Sequence, residues 1–279
     1  MTPPTGFQIA FLLLAAHFFP AVGTIPIARM LGWTESTQQI VSQSVAFAVI
    51  AAAILGIGAL RGQCVSALRR PVPAGMRAEI IGVAIAKCAT VMAVSGAVVL
   101  WHFAMATPDE LMHYAKPEDA EATWDSVFSP QGLVRMVLLS WIIGPVIEEL
   151  VFRGFLYHAW ERQWGWFPSL LLTSACFGIA HPSHMASAFM GSVIYICIMR
   201  RTGTIVAPIL LHVLFNVLVS WPVLGEVSSR IPHGTTTDLW SWWPWLASVA
   251  FVSIALPAYV WMARDGSRAA SAFAASSHS

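Results

Sequence analysis

Ionisable side chains interrupt an apolar stretch in the second half of the chain. Glu148 and Glu149 lie within the run WIIGPVIEELVFRG, and Arg153 follows four residues after Glu149. On a helix this spacing places Glu149 and Arg153 on one face, where they can form an ion pair. Glu148 is rotated about 100° away from that face. Because Arg153 pairs with Glu149, Glu148 is left free to act as a general base or general acid.

Two histidines and an asparagine lie in the apolar segments that follow. His181 ends the string SACFGIAH, and His212 and Asn216 lie four residues apart in APILLHVLFN. His181 could share a water molecule with Glu148. His212 and Asn216 present an imidazole and an amide on one helix face, which suits the stabilisation of an oxyanion. Since isolated polar groups are costly in hydrocarbon, we predict that these side chains converge on one site together with Glu149.

Each of these features has a structural explanation when it is taken alone. The ion pair of Glu149 could be purely structural, and His181 could be a helix-end residue in headgroup water. His212 and Asn216 could hydrogen-bond neighbouring helices. Glu148 resists such an explanation, because an apolar run precedes it and the nearby cation is already paired. The combination on three separate segments therefore favours a functional site.

The composition indicates the solvent in which these segments lie. Of 279 residues, 57% are hydrophobic and 10% are charged, whereas soluble domains average about 45–50% apolar and about 25% charged residues. The mean hydropathy is +0.68. These values exclude a soluble globular domain, and a net charge of +1 offers no basic surface for nucleic acid. The four cysteines form no CxxC pair, so a disulfide framework is not expected.

The apolar runs predict an all-α, polytopic membrane bundle of about eight transmembrane helices. We expect one integral membrane domain over residues 1–279, with a catalytic core at 132–220. Lys87, inside the third run, is expected to extend toward the nearer membrane surface. The sequence HPSH predicts a tight reversal between the fifth and sixth runs. The eight runs are Gly6–Ala28, Gln38–Leu60, Ile80–Ala106, Gly132–Tyr157, Trp166–His181, His184–Met199, Gly203–Leu224 and Leu239–Ala263.

The distribution of basic residues predicts how the chain is oriented. Ten of the 15 lysines and arginines lie in segments on the side of the N-terminus, and three lie in segments on the opposite side. By the positive-inside rule, both termini are cytoplasmic. The predicted location is therefore the cell membrane, with a multi-pass topology.

The polar strings described above resemble the three motifs of the CPBP intramembrane proteases. This family includes the type II CAAX prenyl proteases and their abortive-infection and bacteriocin-processing relatives. The flanking sequences FRG and TGTIVAPILLH agree with the resemblance, which covers about a third of the chain, roughly Gly132–Ser220. The strings are Glu148-Glu149-x-x-x-Arg153, Phe177-x-x-x-His181 and His212-x-x-x-Asn216.

The resemblance implies an endopeptidase whose site lies inside the membrane and opens toward the cytoplasm. It implies that Glu148 and His181 activate the attacking water, and that His212 and Asn216 stabilise the tetrahedral oxyanion. The ion pair of Glu149 would support the geometry of Glu148. The substrate would be a peptide or protein at the membrane, either prenylated or hydrophobic.

No cofactor is expected, although one alternative involves a metal ion. His181, His212 and Glu148 could bind zinc and leave a fourth position for water. The HExxH motif is absent, however, and a metal-free glutamate mechanism fits the resemblance better.

Other protease classes fit the sequence less well. An aspartyl protease needs two aspartates in the membrane, and no predicted span contains one. A rhomboid-type serine protease needs a serine in a glycine-rich turn, and Ser192 follows only a single glycine. A thiol protease is not favoured either, because Cys176 lies five residues before His181, on a different helix face.

Two further hypotheses come from other functional classes. The chain could be a non-catalytic membrane scaffold or bacteriocin-immunity protein that keeps its polar cluster for packing. It could also be a small transporter that uses Glu148 and His212 as a proton relay, although no inverted repeat supports this reading.

Overall fold

The computed structural model describes residues 23–33, 35–56, 58–105, 132–133, 135–220 and 243–266. Regular secondary structure in these ranges is entirely helical, which confirms the predicted all-α class for this part of the chain. Residues 23–31 are also helical, and most of the first predicted span lies outside the described residues. The remaining helices are α1 (Glu35–Gly56), α2 (Gly58–Leu68), α3 (Arg77–Met105), α4 (a continuous helix from Arg135 to Trp164), α5 (Trp166–Ile179), α6 (Met185–Thr202), α7 (Val206–Val219) and α8 (Trp243–Ala263).

Glycine and proline set the helix boundaries around the predicted site. Gly165, at φ +78°, separates α4 from α5. Gly203, at φ +69°, ends α6, and its N–H donates to the carbonyl of Met199 at 2.8 Å. Both backbone conformations strain any residue with a Cβ. The HPSH reversal is a single 3₁₀ turn, Pro182–His184, which joins α5 to α6 as predicted.

Helix α6 is the central element of the described structure. Every residue from Gly191 to Arg200 is buried, so this part of α6 has no face open to solvent or lipid. A helix that is covered on all sides must be enclosed by its neighbours. Helices α3, α5, α7 and α8 all pack against it.

Arg200, near the end of α6, contacts two other helices. Arg200 of α6 donates to the carbonyls of Ala263 and Arg264, each at 3.1 Å, and to the hydroxyl of Tyr157 at 2.9 Å. The same guanidinium contacts the carboxylate of Glu161 in α4 at 2.5 Å. This network ties α6 to the end of α8 and to the last turns of α4.

A second cluster ties α6 to the start of α3. Arg201 donates to both carboxylate oxygens of Glu79, at 2.5 and 2.9 Å, and the hydroxyl of Tyr259 in α8 donates to the same carboxylate at 3.0 Å. A bidentate arginine–carboxylate pair is stronger than a single hydrogen bond between neutral groups. Three helices are therefore joined at one carboxylate.

Length and composition qualify one helix of the described residues as a membrane span. It runs over Leu246–Gly266 and has a mean hydropathy of 1.8. The described parts of the second to eighth predicted runs lie largely on helices, but the number of spans and their sidedness stay predictions. Three shorter apolar helices cover Ile40–Gly56, Trp166–Ile179 and Val206–Val219.

We predict that the Glu79 cluster loses its stabilising effect in acid. Hydrogen bonds from Arg201 lower the pKa of Glu79 below its usual value. The stabilisation is therefore complete above the pKa of the unfolded chain, about 4.3, and is lost as pH falls through the lower folded value. Glu79→Gln should reduce stability at pH 7 by about 1 kcal/mol, and the difference from wild type should shrink toward pH 3. Thermal unfolding in detergent measures this.

The matched control is Asp265→Asn, since Asp265 also faces an arginine but is 62% exposed. It should leave the melting temperature unchanged at both pH values. A Glu79→Gln difference that stays constant from pH 7 to pH 3 would contradict the proposed cause.

Candidate active site

Helix α4, which carries both glutamates, departs from regular α-geometry in two places. Its segments Arg135–Ile143 and Leu150–Tyr157 are π-helical, and they flank the α-helical segment Gly144–Glu149. π-Helix is rare and is frequently found at functional sites. Gly144 is required at the first junction, because a Cβ there would lie 2.5 Å from the carbonyl oxygen of Leu139.

The π register leaves one backbone carbonyl available to a neighbouring helix. In this register a carbonyl accepts from the N–H five residues later, and the residue five positions after Ser140 is Pro145, which has no N–H. The Ser140 carbonyl instead accepts a hydrogen bond from Nδ2 of Asn216 at 2.7 Å. The proline of α4 thus fixes the amide of α7, and one of the two Nδ2 hydrogens is taken up in doing so.

Glu149 is the buried centre of the polar cluster. Its carboxylate and the Arg153 side chain are both fully buried, and Nη1 of Arg153 lies 3.2 Å from Oε1 of Glu149. The same oxygen lies 2.9 Å from Nδ1 of His212, which comes from α7. The predicted ion pair is therefore present, and it has a histidine partner that spacing along the chain did not indicate.

Aromatic rings surround the guanidinium of Arg153. Its Cζ atom lies 4.5 Å from the ring centroid of Phe177 and 5.1 Å from that of Tyr195. Within the described residues, no nitrogen of the guanidinium makes a hydrogen bond of normal geometry. Ring faces and the Glu149 carboxylate are thus the neighbours that stabilise this cation.

Glu148 faces a different environment from Glu149. It is 19% exposed, and its Oε2 atom lies 3.8 Å from Nε2 of His181 and 3.9 Å from Nε2 of His212. These distances are too long for direct hydrogen bonds and too short for a water molecule on the line between the atoms, but a water molecule beside that line can hydrogen-bond to both atoms. One carboxylate oxygen therefore faces both imidazoles.

The backbone fixes the tautomer of His181. Nδ1 lies 2.8 Å from the carbonyl oxygen of Phe177, which can only accept, so Nδ1 carries the proton. In the neutral ring Nε2 is then an acceptor that faces Glu148. The imidazole also stacks on the Phe177 ring, with centroids 4.4 Å apart. A water molecule between Glu148 and His181 would find an acceptor for each of its two hydrogens.

Sequence reasoning missed the contribution of α3. We expected Lys87 to extend toward the membrane surface, and this was wrong: the side chain is 4% exposed, and its Nζ atom lies 2.9 Å from the ring centroid of Phe215 in α7. Gly191 of α6 provides the space, because a Cβ there would lie 2.6 Å from Cε of Lys87. A lone lysine inside an apolar run was the available signal, but its neighbours come from distant parts of the chain.

The metal alternative concerns three donors that face one another, His181, His212 and Glu148. Among the described residues, no group of three His, Cys, Asp or Glu side chains is arranged to hold a metal ion. Both the metal-free mechanism and the zinc alternative stay predictions.

Comparisons with known proteins show that the part of the chain with the candidate residues is similar to membrane peptidases. Residues 130–218 match the family model "Type II CAAX prenyl endopeptidase Rce1-like". The chain is also 29% identical over 125 residues to "Putative membrane peptidase YdiL" of Bacillus subtilis (strain 168). That match covers 43% of this chain and 48% of the relative, so the chain aligns with about half the length of that protein. No solved structure matches the chain significantly.

The resemblance to the CPBP family is thereby confirmed for the part of the chain that carries the motifs. The family-model match contains all six candidate residues. These are Glu148, Glu149, Arg153, His181, His212 and Asn216.

We predict that the Glu149–Arg153 pair is needed for stability and for activity by different routes. Arg153→Met leaves a buried carboxylate without its cation, and breaking a buried ion pair in this way costs about 3–5 kcal/mol. The double variant Glu149→Gln/Arg153→Met removes the unpaired charge, so it should regain much of this stability. It should not regain activity, because His212 loses its carboxylate partner. Thermal unfolding and peptidase assays of the three proteins measure the two effects.

Arg162→Met is the matched control, since Arg162 belongs to the same helix but is exposed. It should change neither property. A double variant no more stable than Arg153→Met would contradict the account.

Proposed function

We propose that the chain is an intramembrane endopeptidase of the glutamate type, which hydrolyses a peptide bond of a membrane-associated or lipidated substrate. The observation that carries the proposal is the position of Glu148. Its carboxylate is partly accessible, and its Oε2 atom lies 3.8 Å from Nε2 of His181, so that one water molecule beside the two atoms can hydrogen-bond to both. The comparison with membrane peptidases supports the same class of reaction.

The first chemical step is attack of that water on the substrate carbonyl. Glu148 takes one proton from the water while His181 accepts a hydrogen bond from the other, so that the oxygen is oriented toward the peptide carbon. A carbon–oxygen bond forms, and the carbonyl oxygen becomes negatively charged. Glu148, now protonated, then gives its proton to the leaving amine as the carbon–nitrogen bond breaks.

His212 and Asn216 act on the developing oxyanion. Nδ1 of His212 donates to the buried Glu149 carboxylate at 2.9 Å, which orients the ring so that Nε2 faces the reaction space, and Nε2 donates to the oxyanion when the imidazole carries a proton on both nitrogens. The second Nδ2 hydrogen of Asn216 supplies another donor, with the amide held in place by Ser140. Donors that are fixed before the reaction stabilise such a charge without reorganisation.

The proposed substrate carries an apolar group. The matched family model is named for a prenyl endopeptidase, and a cavity of about 280 Å³ lies between α3, α6 and α8. Its lining is almost entirely apolar and includes the stem of Lys87, whose ammonium group lies over the Phe215 ring. A prenylated or otherwise hydrophobic tail is the ligand chemistry that this cavity favours. The proposed mechanism uses no metal ion or cofactor.

The proposal includes a topology of eight spans with both termini in the cytoplasm. Reporter fusions at Ser279 and within the segment Thr107–Gln131 should report opposite sides of the membrane. Fusions at Ser228 and Ser279 provide the control, because the eighth predicted span lies between their positions. If Ser279 and the 107–131 segment report the same side, the proposed topology is wrong.

We predict that Glu148→Gln reduces turnover about 10²–10⁴-fold, the usual contribution of a general acid–base group. The assay uses purified protein in nanodiscs and an internally quenched peptide that ends in a farnesylated CAAX sequence. In parallel, C-terminal proteomics of cells that produce wild-type or Glu148→Gln protein reports cleavage without an assumption about the substrate. Fragments should be present with the wild type and absent with the variant.

Asp265→Asn is the matched control, because it also replaces a carboxylate by its amide, at a position that is 62% exposed and outside the site. Chelator treatment forms a further arm, and activity should persist through it. Near wild-type cleavage by Glu148→Gln would remove Glu148 from the mechanism, and identical fragment profiles would favour the non-catalytic scaffold. Activity lost with chelator and restored by zinc would overturn the metal-free mechanism.

A further inference from the structure

An aromatic ring from α6 covers one face of the His212 imidazole. Tyr195 is 1% exposed, and its ring stacks on His212 with centroids 4.5 Å apart and an interplanar angle of 27°. The edge of Phe177 approaches the same imidazole, with centroids 6.0 Å apart at 65°. The imidazole is therefore bounded by a ring face and a ring edge. Neither residue belongs to the polar groups that the proposed mechanism uses.

Basic side chains from two other helices contact the Tyr195 ring. Nζ of Lys87 lies 4.7 Å from its centroid, and Cζ of Arg153 lies 5.1 Å from it. A cation over an aromatic face is attracted by the ring quadrupole, most strongly where water is excluded. Helices α3 and α4 thus fix the position of a ring that belongs to α6.

The ring, rather than the hydroxyl, makes the contacts of Tyr195. In the part of the chain that the structure describes, the buried hydroxyl oxygen has no hydrogen-bond partner. A tyrosine kept only for its hydroxyl would be expected to use it, because buried polar groups are normally paired. The stacking and the two cation contacts all involve the aromatic face.

We propose that Tyr195 is a positioning residue of the site, whose ring is held by Lys87 and Arg153 and fixes the plane of the His212 imidazole. The plane matters because Nδ1 must meet Glu149, at 2.9 Å, while Nε2 faces Glu148, at 3.9 Å. Rotation about the bond that joins an imidazole to its Cβ is otherwise broad. The catalytic consequence of this positioning rests on the proposed function, whereas the positioning itself does not.

The first test follows the His212 imidazole directly. Protein labelled with ¹⁵N-histidine is compared by NMR for wild type, Tyr195→Phe, Tyr195→Leu and Lys87→Met, with His212→Gln to assign the signal. Wild type and Tyr195→Phe should give one sharp His212 signal, shifted by the stacked ring. In Tyr195→Leu the His212 signal should lose that shift and broaden. In Lys87→Met the signal should change in the same direction but to a smaller extent. A His212 signal that is unchanged in Tyr195→Leu and Lys87→Met overturns the proposal.

The second test measures turnover of the quenched farnesylated peptide. A small misplacement of catalytic groups can cost up to about 10²-fold, so Tyr195→Leu should lower kcat about 10- to 100-fold and leave KM within about twofold. Tyr195→Phe restores the ring and should recover most of this loss. Phe167→Leu removes an aromatic ring from α5 at a position that is 46% exposed and outside the site, and it should retain wild-type kcat.

The two arms separate failure of this inference from failure of the proposed function. If Glu148→Gln has no effect on cleavage, the proposed function fails, and the NMR arm still decides whether Tyr195 positions His212. If Glu148→Gln abolishes cleavage but Tyr195→Leu keeps full kcat, only the role of Tyr195 is overturned. Lys87→Met keeps the ring and most of the side-chain volume, so it remains informative if Tyr195→Leu does not fold.

Discussion

The buried carboxylate of Glu149 is the interaction on which the site depends. A carboxylate removed from solvent costs several kcal/mol unless charged and hydrogen-bonding partners surround it. Arg153 supplies the charge from one turn away, and His212 supplies a hydrogen bond from another helix. The guanidinium in turn needs neighbours, and the rings of Phe177 and Tyr195 provide them from α5 and α6. One buried group thereby dictates how four helices meet.

This arrangement also gives two adjacent glutamates different surroundings. Glu149 is fully buried and its Oε1 atom contacts both Arg153 and His212, whereas Glu148 is partly accessible and its Oε2 atom lies 3.8 and 3.9 Å from two imidazole nitrogens. Helix geometry alone separates their directions by about 100°. The first carboxylate organises the surrounding helices, and the second remains available to a reactant.

The sequence predicted what depends on local pattern. Apolar runs indicated α3 to α8, and the spacing of four residues placed Glu149 beside Arg153 and His212 beside Asn216. Contacts that combine distant positions were not predictable in this way. The location of Lys87 depends on a missing Cβ at Gly191, more than a hundred residues later. From hydropathy alone, such a lysine is expected at the membrane surface, because a hydropathy value contains no information about the space that other helices leave.

The hydrogen bond of Asn216 depends on still less visible information. It requires the π register of α4, which decides that Ser140 faces position 145, and a proline at that position. A proline within an apolar helix reads as a helix irregularity, and only the observed register shows which carbonyl it leaves available. Tyr195 was equally hidden, since nothing in its spacing distinguishes a ring that stacks on a histidine from any other buried aromatic residue.

Pro145 therefore lowers the local stability of α4 while it helps to order the site. Alanine at this position would be a far better helix former, and its N–H would offer the Ser140 carbonyl a partner within the same helix. The amide of Asn216 would then share the carbonyl oxygen of Ser140 with the backbone of α4. A substitution that improves the helix would thus weaken the contact that positions a side chain of the neighbouring helix, a local instance of the exchange between stability and activity in proteins. Selection for a tighter α4 would thus act against the cluster that α4 carries.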